Sequence, residues 1–100
     1  MLQPDQLALI TEKFKKYKIK RAYAFGSVCT GKFNENSDYD FLVSFSDSLA
    51  PLEKGENYWD LLFELEDTLE RKIDLLIETQ LKNPYLMLEI NKTKKLIYGE

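Results

Sequence analysis

Residues 25–40, FGSVCTGKFNENSDYD, decide the fold of this chain. The stretch puts a Gly26-Ser27 pair at the end of one short apolar segment and two aspartates, Asp38 and Asp40, at the head of another. Side chains alternate along a strand, so these two aspartates point to the same face, about 7 Å apart between their Cα atoms. The stretch therefore predicts two strands joined by a loop, with a carboxylate pair at the start of the second strand.

A third acid lies in a second apolar run. Asp74 interrupts residues 72–77, KIDLLI, whose composition is typical of a buried strand. Carboxylates on apolar strands are costly unless something binds them. Without a metal, the three acids need three unrelated explanations. Asp38 could cap a turn and Asp40 could pair with a lysine, but Asp74 in a second apolar run would then be a third coincidence. We favour a site for two Mg²⁺ ions, which few carboxylates hold and substrate phosphates complete.

The glycine half of the stretch has two interpretations. Residues 26–32, GSVCTGK, match a P-loop up to the position where a serine or threonine must ligate magnesium, and that position is Phe33. The other interpretation is a strand that ends in glycine and serine before a helical turn, which offers free backbone amides to an anion. On this basis Gly26 and Ser27 are predicted to hold the phosphates of a nucleoside triphosphate.

The composition excludes several functions. One hundred residues are expected to form a single domain, residues 1–100. A net charge of −3 argues against direct binding to nucleic acid. One cysteine and no histidine exclude a disulfide framework, a Cys/His zinc site and a histidine-dependent triad. No signal sequence or membrane span is apparent, so a cytoplasmic location is expected.

The pattern along the chain predicts an α/β (α+β) fold, a small mixed sheet of about four strands with helices packed mainly on one side. Helices are expected at residues 5–17, 56–70 and 85–92, the last capped by Asn83, and strands at 21–25, 38–45, 72–77 and 95–98. Residues 46–55 are expected to form a loop.

The predicted helix at 56–70 carries a run of acids on its polar face. They are Glu56, Asp60, Glu64, Glu66, Asp67 and Glu70. Two interpretations stay open, a solvated acidic face or, because Trp59 adds an extra aromatic, a surface that docks a basic partner.

These motifs together resemble a known family. Gly26-Ser27, then Gly31, then residues 37–43, SDYDFLV, resemble the signature of the minimal nucleotidyltransferases (MNT) of the polymerase-beta superfamily. Asp74 matches the third acid of that family, and residues 96–99 are similar to its usual ending. The resemblance spans about residues 20–99 and implies the polymerase-beta-like nucleotidyltransferase fold.

The resemblance also implies a function. Many such proteins are antitoxins encoded beside a HEPN-domain toxin ribonuclease, and members of the family inactivate the toxin by transferring AMP from ATP to one of its tyrosines. By this analogy Ser27 and the amide after Gly26 hold the triphosphate, while Asp38 and Asp40 bind two Mg²⁺ ions. Asp74 would bind the catalytic ion and help to deprotonate the acceptor hydroxyl. The acceptor is expected on another molecule.

The chain departs from the family between the two halves of the motif. Thr30 stands where the family commonly has an arginine, Val28 where it often has another, and Cys29 replaces an alanine. Lys32 is expected to substitute for the missing arginine as a point charge at the phosphates, without the bidentate geometry of an arginine. An alternative function follows, a degenerate transferase that neutralises its toxin by binding alone. Transfer to a small molecule or to an RNA end is disfavoured by the missing acceptor domain and the acidic charge.

Overall fold

A four-stranded mixed sheet forms the centre of the protein, of which the computed structural model describes residues 3–26 and 38–99. The strands are β1 (Ile19–Phe25), β2 (Tyr39–Phe45), β3 (Ile73–Ile77) and β4 (Lys95–Tyr98). Their order across the sheet is β3-β2-β1-β4. β1 pairs antiparallel with β2 and β4, whereas β2 and β3 run parallel.

Within residues 3–26 and 38–99, three helices and one short 3₁₀ turn accompany the strands. The helices are α1 (Pro4–Lys16), α2 (Pro51–Leu69) and α3 (Pro84–Thr93), and the turn is Glu78–Gln80. Among the described helices, none combines the length and the apolar character that crossing a membrane would need. The predicted fold class is confirmed, and so is the predicted order of the described helices and strands, including the cap at Asn83, whose side chain accepts from the amides of Tyr85 and Leu86. The helical turn expected after Ser27 lies outside the described residues.

The prediction that a loop continues to Gly55 is wrong, because α2 already begins at Pro51. Proline fits the first position of a helix, since its missing N–H would have no partner there. The side chain of Glu53 accepts a hydrogen bond from the amide of Ala50 at 3.4 Å and closes the first turn. Gly55 lies exposed inside the helix with open space where a Cβ atom would stand, and it costs the helix about 0.5–1 kcal/mol relative to alanine.

The main core lies between one face of the sheet and the helices α1 and α2. The alternate residues of β2 that face this core are Tyr39, Phe41, Val43 and Phe45, as the alternation predicts. Phe41 meets Phe14 of α1 edge to face, with ring centroids 6.1 Å apart. The other face carries a smaller cluster, in which Ile90 of α3 packs on Phe25 and Leu42. Helices therefore lie mainly on one side, with α3 alone among the described helices on the other.

The glycine near the end of the chain has a packing reason. Gly99 has a φ angle of +84°, and a Cβ atom there would overlap the carbonyl oxygen of Lys20. Only glycine combines this backbone conformation with such a close approach. Gly99 thus lets the residue after β4 lie directly on the backbone of β1.

Replacing Glu70 with glycine should stabilise the protein. Glu70 ends α2 in the left-handed conformation with φ at 53°, which a non-glycine residue adopts at a cost of about 1 kcal/mol. We expect Glu70→Gly to raise the free energy of unfolding by about 0.5–1 kcal/mol in urea titrations. Glu56→Gly, in the interior of the same helix, should instead lower it by about 0.5 kcal/mol. Equal effects of the two substitutions would contradict this assignment.

Candidate active site

The register of the sheet brings two of the three predicted acids side by side. Asp40, the second residue of β2, lies opposite Asp74 in the parallel pairing with β3 and opposite Phe25 in the antiparallel pairing with β1. Asp38 directly precedes β2. β1 ends where the parallel strands β2 and β3 begin, so all three acids and Gly26 lie at one end of the sheet. The strand of Asp74 therefore lies directly beside the strand that Asp38 and Asp40 begin.

The acids influence one another electrostatically. Partial burial, and then the negative charges of Asp74 and Asp38, raise the pKa of the Asp40 carboxyl from its ordinary 3.8 to about 6. A raised pKa means that the ionised form is disfavoured at this position. A divalent cation at this end of the sheet would remove that penalty, because it favours the ionised carboxylate.

The donor set suits magnesium, although the described residues contain no ready-made cluster of three metal-ligating side chains. Carboxylate oxygens are hard ligands, and Mg²⁺ usually binds through one or two of them together with water and substrate phosphates. Asp38 and Asp40 can supply such a pair, because they are two residues apart and alternate residues of a strand share a face. The residues therefore fit an ion that is completed by a nucleotide.

Gly26 makes room for the carboxylate of Asp40. Its φ angle is +77°, and a Cβ atom there would lie 2.5 Å from Oδ2 of Asp40. The amide of Gly26 donates to Oγ1 of Thr93 at 3.1 Å, near the end of α3. The glycine is thus fixed from two sides, and its own amide is engaged with the protein. Thr93 carried no signal in the sequence, because its contact depends on where α3 lies against β1.

The remaining predicted phosphate-binding residues, Ser27 and Lys32, lie outside the described residues. The same holds for residues 28–30, where the chain departs from the family motif. Their roles stay predictions from the sequence.

A second polar cluster lies further along the same face of the sheet. Arg21 of β1 donates to both carboxylate oxygens of Glu78 at 3.3 Å, and the Ser44 hydroxyl donates to Oε2 of Glu78 at 2.9 Å. The hydrogen bond from Arg21 is the main cause that lowers the pKa of Glu78. The cluster joins β1, β2 and the turn after β3, so it holds together the three strands that carry the site. Sequence reasoning missed it, since nothing local relates these positions.

A cavity of about 630 Å³ also borders β3. Its lining includes Ser44, Tyr58 and Leu76, and none of Asp38, Asp40 and Asp74 takes part in it. The cavity is therefore a feature separate from the acids at the end of the sheet.

The described sheet has four strands of mixed direction, with Asp-x-Asp at the head of one strand, a third acid on its parallel neighbour and a glycine turn against them. This combination defines a small nucleotidyltransferase. The family comparison agrees. Residues 9–100 match the model described as "Polymerase beta, Nucleotidyltransferase", and the chain belongs to this family.

Relatives extend the comparison. The chain is 36% identical over 83 residues to a Methanocaldococcus jannaschii protein named "Putative protein adenylyltransferase", with 83% of this chain and 79% of the relative covered. A solved toxin–antitoxin structure with AMP-PNP is similar in fold, with a TM-score of 0.73 at 23% identity, covering 99% of this chain and 75% of its own. A complex of the tri-AMPylated Shewanella oneidensis HEPN toxin with MNT antitoxin is also similar in fold, with a TM-score of 0.69 at 21% identity, covering 99% of this chain and 74% of the other.

The metal-free protein should become less stable as the pH rises through the range in which the Asp40 carboxyl loses its proton. Its carboxyl binds a proton more tightly in the folded than in the unfolded chain, so folded stability falls between about pH 4 and the folded pKa of about 6. We expect Asp40→Asn to stabilise the metal-free protein at pH 7 by about 1 kcal/mol, a value reduced for solvent screening, and to bring no gain at pH 3.5. Urea unfolding with EDTA measures this. Asp47→Asn, a change at an acid that is 89% exposed, is the control and should lack this pH dependence.

Two glycine substitutions should act in opposite directions. Gly26→Ala should lower the free energy of unfolding by about 2 kcal/mol, because it adds backbone strain and displaces the Asp40 carboxylate. Gly55→Ala, with open space around it inside α2, should raise it by about 0.5–1 kcal/mol. Adding Asp40→Ala to Gly26→Ala should recover part of the loss, as a double-mutant cycle measures. Strict additivity would show that the carboxylate does not oppose a side chain at position 26.

Proposed function

We propose that this protein is an antitoxin-type protein adenylyltransferase. It transfers AMP from ATP to the hydroxyl group of a tyrosine on a cognate HEPN toxin. The observation that carries the proposal is the register that sets Asp40 beside Asp74, with Asp38 preceding β2 and Gly26 against the Asp40 carboxylate. The name of the M. jannaschii relative, the AMP-PNP complex and the AMPylated HEPN complex support the reaction and the partner by analogy.

In this proposal Asp38 and Asp40 hold two magnesium ions together with the triphosphate. When bound, the ions neutralise negative charge on the phosphates and orient them for in-line displacement. Gly26 keeps the Asp40 carboxylate close to the turn after β1, so that this carboxylate is positioned before the nucleotide arrives. Ser27, the amide after Gly26 and Lys32 contact the phosphates. The positive charge of the cation offsets the partial burial and the neighbouring negative charges that raise the pKa of Asp40.

Asp74 receives the proton of the acceptor. It lies exposed on β3, an edge strand of the sheet, so a hydroxyl carried by another protein can reach it. The hydroxyl oxygen bonds to the α-phosphorus of ATP, the bond from that phosphorus to the bridging oxygen breaks, and pyrophosphate leaves. The hydroxyl proton passes to the carboxylate of Asp74, and the product is an AMP ester of the partner.

A second candidate is neutralisation of the toxin by binding alone. Val28 and Thr30, in place of the arginines common in the family, favour it, because a lysine at position 32 lacks the bidentate geometry of an arginine. The two candidates differ in one observable, the covalent state of the partner.

Intact-mass spectrometry of the HEPN partner tests the proposal. After incubation with this protein, ATP and Mg²⁺, the partner should gain one or more AMP units. Asp38→Asn with Asp40→Asn should slow the reaction by at least ~100-fold, since both replace ligands of the ions.

Asp47→Asn is the matched control, an exposed acid on the loop after β2 that pairs with Lys20, and it should leave the rate unchanged. A stable complex without any mass change would reject the transfer reaction and favour neutralisation by binding alone.

A further inference from the structure

The solvent face of α2 carries an apolar stripe, formed by Leu52, Trp59 and Phe63. Their exposed fractions are 76%, 56% and 60%. The three positions follow the helical period, and they lie opposite the residues that α2 buries in the core, Leu61, Leu65 and Leu69. Exposed apolar side chains on one face of a helix, bordered by polar residues, are characteristic of a protein interaction site.

The aromatic part of the stripe is held in place by its neighbours. The ring of Trp59 lies 6.3 Å from that of Phe63 and meets Tyr58 edge to face at 5.3 Å, measured between centroids. Tyr58 in turn donates its hydroxyl to the carbonyl of Leu75 in β3 at 2.7 Å. Because the rings are already ordered against the fold, a partner that covers them loses little side-chain entropy.

One border of the stripe is negative. Glu56, Asp60 and Asp67 are exposed next to it. The lysines of α1 reach another side of α2, where Lys13 and Lys16 both pair with Glu64. Within residues 3–26 and 38–99, no ion pair is recorded at Glu56, Asp60 or Asp67. On the acidic face expected from the sequence, Glu64 is thus paired with lysines. Glu56, Asp60 and Asp67, beside the aromatic rings, have no described ion pair.

We infer that this stripe docks a helix of a partner protein, one that presents apolar residues at helical spacing with lysine or arginine along one side. Charge complementarity selects this occupant, since its cations would meet the acids on the negative border of the stripe. A second copy of this chain packed through the stripe would bring no cation to these acids, because the residues that flank the stripe on α2 carry no positive charge.

The surface is separate from the acids at the end of the sheet. α2 packs on the sheet face that carries Tyr39 and Phe41, whereas Asp40 points to the other face. A partner on the stripe leaves Asp40 and Asp74 uncovered. The inference goes beyond the proposed transfer reaction and stands whether or not AMP is transferred.

Trp59 is the one tryptophan of the chain, so its fluorescence reports directly on the stripe. Two synthetic helical peptides of about 18 residues serve as probes, with the same leucine stripe and with either lysine or glutamate along one side of it. The lysine peptide should shift the Trp59 emission to shorter wavelength in a saturable manner, with binding that weakens as salt is added. The glutamate peptide should bind at least ~10-fold more weakly.

Substitutions localise the contact. Phe63→Ala should weaken binding of the lysine peptide by about tenfold or more, as expected for an aromatic anchor. Leu88→Ala is the matched control, because Leu88 is 58% exposed on α3 and lies away from the stripe. The inference is overturned if the lysine peptide produces no shift, if both peptides bind equally, or if Leu88→Ala weakens binding as much as Phe63→Ala.

Discussion

The parallel pairing of β2 with β3 is the constraint on which the site depends. Tyr39, Phe41 and Val43 are buried against α1 and α2, and a shift of β2 by one residue would turn all of them to the opposite face of the sheet, away from this core. The same alternation turns Asp40 to the opposite face and sets it opposite Asp74. Burial of aromatic and branched side chains on one face therefore positions the carboxylates on the other. The apolar core and the acidic site are two consequences of one register.

The site is electrostatically unfavourable in the protein alone. Neighbouring acids and partial burial hold the pKa of Asp40 above its usual value, and Gly26 adopts a conformation with positive φ so that this carboxylate can lie against it. Such local costs are typical of positions kept for binding, because a cation or substrate relieves them. The cluster of Arg21, Ser44 and Glu78 joins the strands that bear this strain.

Much of the fold follows from periodicity. Alternation along β2 predicted both of its faces, and helical spacing predicted α1 and α3 to within a residue or two. The start of α2 was missed because Gly55 and Pro51 usually mark loops, whereas here one is exposed inside the helix and the other occupies its first position. Asp38, Asp40 and Asp74 were predictable as a group, because three acids on apolar strands need a common explanation.

The sequence by itself determined the alternation of the strands, the residue types of the acid site and the family to which the chain belongs. Only the tertiary structure decided that Gly26 accommodates the Asp40 carboxylate and donates its amide to Thr93, and that Arg21 and Ser44 donate to Glu78. It also decided that, among the described ion pairs, the acid of α2 with a cation partner is Glu64. The physical reason is range. Periodicity and residue chemistry are local properties that a short window contains, whereas these contacts join residues that are far apart in the chain and meet only when the sheet is assembled.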